Sequence, residues 1–164
     1  MMSSETQLLE LLKKIIKLQK SLHQLAIKKT EMLKSNDIDG LGQLIKDELS
    51  HIKALEALHK TREQLQAAIG REYDCPFKIN TMSDLLRVNG IVHKESFEEF
   101  KNELVHITEQ LKTRNILNQE LLNQSLQFVN LNLDLFFGQQ DSGNYSPLQS
   151  EEEEAARPIF HSKA

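Results

Sequence analysis

Large apolar side chains recur along this chain at helical spacing. Leu8, Leu11, Ile15, Leu18, Leu22, Leu25 and Met32 follow alternating three- and four-residue steps, a heptad seam interrupted by Lys29. Ser4 with Gln7 predicts a capping box that opens this first helix. Ser35-Asn36-Asp37 predicts its end, with Asp37 or Asp39 capping a second helix. Ile45, Leu49, Ile52, Leu55, Leu58, Leu65 and Ile69 mark the side that the second helix should bury, up to Gly70. Two long helices with so short a connection should fold as an antiparallel hairpin.

Residues 71–95 read as irregular. Within them Thr81 and Asp84 can cap a short helix through Leu85, Leu86 and Val88, which Gly90 stops. Ser96 with Glu99 predicts the start of the longest helix, about 96 to 137, roughly 60 Å long at ~1.5 Å per residue. From Gly138 the chain turns polar, with a run of Glu at 151–154 and Pro147 and Pro158, the composition of a mobile tail. That tail still carries Ile159 and Phe160 near its end. The expected fold is all-α. An antiparallel helical hairpin and a long third helix form an elongated coiled-coil-like bundle over 1–137, followed by a flexible acidic tail over 138–164.

The third helix is unusual in threading many Asn and Gln through apolar sequence, most densely in "RNILNQELLNQSLQFVNLNLDLFF" (114–137). On a wheel of ~100° per residue, one apolar stripe runs its whole length: Phe97, Phe100, Leu104, Ile107, Leu111, Leu122, Val129, Leu133 and Phe136. Packing on the hairpin requires such a stripe. A second stripe exists only in the C-terminal half: Leu117, Leu121, Phe128, Leu131 and Leu135. Between the two lie Arg114, Asn118, Ser125 and Asn132, the last three at steps of seven. Two arrangements are open here. The hairpin covers both stripes and the polar line pairs inside the bundle, or the second stripe stays uncovered and binds a helical partner. In the second case Leu117, Asn118, Leu121, Ser125, Phe128, Leu131, Asn132 and Leu135 form the partner site. Polar residues at regular intervals in an apolar seam would fix register and partner choice. Ile159 and Phe160 are candidates to dock on an apolar surface, their own groove or a neighbouring molecule's, when the partner is absent.

Composition narrows the function classes. A net charge of −4 gives no overall positive field toward nucleic acid or anionic lipid. No run approaches the ~18 apolar residues of a membrane span, and the first residues lack a signal-peptide pattern. The single Cys75 permits no internal disulfide and fits a reducing cytosol; beside Pro76 it reads as a small hydrophobe in a loop. Glu48/His51, Glu56/His59 and Glu103/His106 have the Glu-x-x-His spacing of di-iron bundles. That chemistry needs further inward-facing Glu from other helices, and Glu103 and His106 flank their seam. Solvated faces are the expectation, with no metal and no cofactor. Phosphate loops, nucleophile elbows and zinc-type Cys clusters are missing from the sequence, so an enzyme is not expected.

The sequence resembles the FlgN-type flagellar export chaperones. The resemblance is carried by the hairpin with Leu55-Glu56 and Arg62, by Asn118-Gln119-Glu120-Leu121-Leu122 followed by Ser125-Leu126-Gln127-Phe128-Val129-Asn130, and by the end Arg157-Pro158-Ile159-Phe160-His161-Ser162-Lys163-Ala164. It implies a bacterial cytoplasmic helper, a monomer or weak dimer without membrane insertion. Its clients would be hook-associated proteins, held by their helical ends, kept from early assembly and handed to the flagellar type III export apparatus. It also implies that the client-binding region is the C-terminal part of the chain, without catalysis or cofactor. A structural coiled-coil oligomer, a generic helical adaptor and, more remotely, a di-iron bundle are the alternatives from other classes.

Overall fold

The structure is a computed structural model that describes residues 1–138. Its helices are α1 (Ser4–Ser35), α2 (Ile38–Glu72), α3 (Met82–Leu86) and α4 (Lys94–Gly138), and no strand occurs among the described residues. The chain divides into two compact units, Met1–Leu126 and Gln127–Ala164. Of the second, only the end of α4 is described. The all-α expectation holds, with long helices packed on one another.

The α1–α2 turn follows from local chemistry. Asn36 adopts the left-handed conformation (φ 55°) that asparagine tolerates better than most residues. The Asp37 carboxylate then accepts the Gly40 N–H at 3.0 Å and caps α2. A Cβ at position 40 would lie 2.4 Å from that carboxylate, so cap and glycine belong together. At the other end, α1 is capped by Ser3, one residue earlier than the Ser4/Gln7 spacing predicts: Ser3 Oγ accepts the Thr6 N–H at 3.2 Å. Gln7 instead donates to the Met2 carbonyl at 3.0 Å.

α1 lies between two partners. Toward α2, Lys29 pairs with Glu48 at 2.9 Å and Ser21 donates to His51 at 2.8 Å, while Ser4 reaches Glu72. Rising numbers on α1 meet falling numbers on α2, so the hairpin is antiparallel. Toward α4, Lys20 meets Glu103 and Thr30 meets Asn118, so α4 runs parallel to α1. Two neighbours explain why adjacent residues such as Leu11 and Leu12, or Ile15 and Ile16, are both buried. A single seam predicts only one of each pair.

The main core joins Leu8, Leu12 and Ile15 of α1 to Leu55 and Ile69 of α2 and Phe97 of α4. Ile79, Met82, Leu85 and Val88 complete it, so residues 73–93 are a plug that seals this part of the bundle. The Thr81–Asp84 capping box forms as its spacing predicts. Gly90 has φ +90°, the conformation that favours glycine, and a Cβ there would only touch the Tyr73 ring at 3.4 Å. Cys75 is a free thiol packed at the edge of the core. A second, smaller core unites Ala26, Ile107 and Leu111.

Two sequence expectations change. The Ser96/Glu99 box is not used, and α4 begins at Lys94. The buried Glu5 of α1 instead accepts the N–H groups of Val92 (3.2 Å) and His93 (3.1 Å) and the Tyr73 hydroxyl. A charged acceptor already held beside those donors makes stronger bonds than a neutral serine would. The apolar side of α2 is also only partly covered. Leu55 and Ile69 are buried, whereas Ile45, Leu49 and Ile52 are exposed, and Leu44 is buried in their place.

Candidate functional site

The candidate site is built from α4 after its last buried hydrophobe, Leu111; beyond it only Asn118 is buried. Asn118 is turned inward to α1. Its Nδ2 donates to the Ala26 carbonyl at 2.8 Å, and its Oδ1 accepts the Thr30 hydroxyl at 2.6 Å. A carbonyl can only accept, which fixes the orientation of the amide. Arg114 Nη1 adds a longer donation to Thr30 Oγ1 at 3.4 Å. The polar clamp therefore sits where apolar packing of α4 stops, and α1 ends at Ser35, five residues past Thr30.

Around the clamp the polar line splits. Asn118 belongs to the interior, Ser125 is half-buried, and Asn132 is exposed. Of the second stripe, Leu117, Phe128, Leu131 and Leu135 are exposed and Leu121 is half-buried. The first stripe, expected to lie on the hairpin throughout, is also exposed at Leu122, Val129, Leu133 and Phe136. Phe136 and Phe137 meet edge to face, with centroids 5.6 Å apart. Ile159 and Phe160 lie outside the described residues.

Within residues 1–126 the periodicity of α2 conceals a groove of 340 Å³. Leu22, Ala26 and Leu33 of α1 form its floor, Leu41, Ile45 and Ile52 of α2 one wall, and Asn118 and Leu122 of α4 the other. The Lys29–Glu48 pair lies at its edge, partly shielded from water. One signal for it is legible in sequence: Leu44, Ile45 and Leu49 together span about 140° of the helix, more apolar arc than a single neighbour needs.

The Glu-x-x-His pairs do not converge. Glu48 is bound to Lys29 and Glu103 to Lys20, while His51 donates from Nδ1 to the Asp47 carbonyl at 2.8 Å. Burial, with the Arg62 charge second, holds the His59 imidazole below its ordinary pKa, while Glu63 opposes them. Among the described residues no three His, Cys, Asp or Glu side chains are grouped to hold a metal ion. None of the described helices is long and apolar enough to cross a membrane. What the arrangement offers is exposed apolar helix surface.

Comparison with known proteins agrees with the resemblance. The family model described as FlgN protein matches residues 1–153. The chain is also similar to the uncharacterized protein YvyG of Bacillus subtilis (strain 168), 26% identical over 164 residues, which is 98% of this chain and 99% of that protein. No solved structure matches. The chain belongs to the FlgN family, a family of flagellar export chaperones.

Proposed function

We propose that this FlgN family member is a cytoplasmic chaperone that holds the helical ends of hook-associated proteins, prevents their early assembly and delivers them to the flagellar type III export apparatus. One observation supports it most: Leu117, Phe128, Leu131 and Leu135 of α4 stand in solvent at helical spacing. Soluble chains seldom expose contiguous apolar patches of this kind without a partner. With Leu121 they make five contact side chains, worth roughly 10 kcal/mol gross at ~1.5–3 kcal/mol each. Association costs of ~4–15 kcal/mol leave a modest net affinity, suited to a client that must be released. In this reading Ser125 and Asn132 set the register of the client helix, and Asn118 positions α4 from within. No catalytic step or cofactor enters.

The test is capture from flagellated cells with the tagged full chain, followed by binding of the purified hook-associated proteins. The wild type should retain at least one of them, and Phe128→Asp should lose it while melting at the wild-type temperature. If the wild type retains none, the reading is wrong. The exposed side chains also suit a structural oligomer. Sedimentation of the free chain that shows a stable assembly across a dilution series would favour that alternative.

A further inference from the structure

From Gln127 to Gly138, α4 carries two apolar lines. Phe128, Leu131 and Leu135 are 66%, 58% and 60% exposed, and Val129, Leu133 and Phe136 are 51%, 47% and 64% exposed. Each line repeats at three- and four-residue steps, the spacing at which helices pair by knobs into holes. At ~100° per residue their centres stand roughly 130° apart around the axis. Asn132 lies between them on the narrow side, and Gln127, Asn130 and Asp134 lie on the wide side, joined at its end by the exposed Phe137, which packs on Phe136. One partner helix covers a stripe of about 100°. A single helix seated on either line therefore leaves the other in water.

We propose that the client brings two helices of one polypeptide to this segment, one for each line, so that the end of α4 becomes the middle member of a three-helix assembly. This rests on the client-binding reading above and specifies its partner. Three side chains per line barely offset the cost of an independent association, whereas two helices on one chain meet that cost once. Charge argues against the same segment of a second copy as the occupant. From Asn115 to Gly138 the sequence has Glu120 and Asp134 and no Lys or Arg, so self-pairing supplies no counter-charge. A client with basic residues beside its apolar seams does.

The experiment places a photo-crosslinking phenylalanine analogue at Phe128 or at Phe136 in the full chain, in complex with the hook-associated protein that the capture retains. Expected are crosslinks from the two positions to two different helical segments of the same client molecule. Phe128→Asp and Phe136→Asp should each weaken client binding about tenfold or more, as loss of a central aromatic contact does. The proposal is overturned if both positions reach one segment, if Phe136 crosslinks to a second copy of the chain, or if Phe136→Asp binds like wild type while Phe128→Asp does not. Those outcomes leave client binding itself standing. A wild-type chain that retains no client removes both.

Discussion

Thr30 of α1 and Asn118 of α4 are joined in the interior by a hydrogen bond of 2.6 Å, and the same amide also donates to the Ala26 carbonyl. Two polar side chains thus replace hydrophobes where the α1–α4 interface ends. Asn118→Ala removes both bonds to the amide, leaves the Thr30 hydroxyl only the longer donation to the Ala26 carbonyl at 3.2 Å, and should cost about 1–3 kcal/mol in urea unfolding. Thr30→Val with Asn118→Leu replaces both members by apolar groups of similar shape and should recover most of the loss. A double-mutant cycle without coupling between the two sites would refute this account of the clamp.

Exposure separates the outer face of α4 from its inner one. Phe128→Asp and Leu135→Asp alter exposed positions and should change unfolding free energy by no more than about 0.5 kcal/mol. Leu111→Asp puts a carboxylate among Ala26 and Ile107 and should cost about 3 kcal/mol or more. Circular dichroism melts of the three variants provide the measurement. A Phe128→Asp protein that melts like Leu111→Asp would show that the face is covered.

The Tyr73–Glu5 bond predicts alkaline sensitivity. The hydrogen bond to Glu5 comes first, then desolvation and the nearby carboxylates, and together they push the Tyr73 pKa up to about 12. A pKa raised by folding contributes stability that is fully present below the unfolded value of about 10 and lost as pH rises toward 12. Wild type should therefore lose melting temperature between these limits faster than Tyr73→Phe. The difference in ultraviolet absorbance between the two proteins isolates this phenol from Tyr145.

Acid should act first through His59 and then through two carboxylates, Asp84 and Glu10, the latter with its pKa lowered by its hydrogen bond to Lys13. His59 has a lowered pKa, so the unfolded chain binds its proton first and stability falls as pH drops through 6.5 and below. His59→Asn should flatten that part of the profile. Asp84 is lowered mainly by the Asn80 backbone N–H, then by the Thr81 side chain and N–H, so its contribution is present above 3.8 and is lost as pH falls further. Asp84→Asn should weaken that second decline, leaving the part that Glu10 contributes, and keep the first. Melting temperature from pH 7 to pH 2.5 tests both, and a single decline that neither variant alters would contradict them.

Helix content, the turn at Asn36-Asp37 and the Thr81–Asp84 cap were legible in the sequence because each depends on neighbours within a few residues. The same periodicity exposed the doubling of apolar positions on α4, and the quoted motifs carried the family resemblance. Tertiary structure alone decided which apolar positions are covered. Ile45 repeats in register with Leu55, yet one is exposed and the other buried, because coverage depends on where a second and a third helix lie. It also decided that Asn118 serves the interior while Asn132, two heptads along the same line, stays exposed. Glu5 displaced the Ser96 box for the same reason: it lies far from Val92 in sequence but within 3.2 Å in space. Spacing along a chain specifies which face a side chain shares, whereas burial and hydrogen-bond partners depend on what the fold brings to that face.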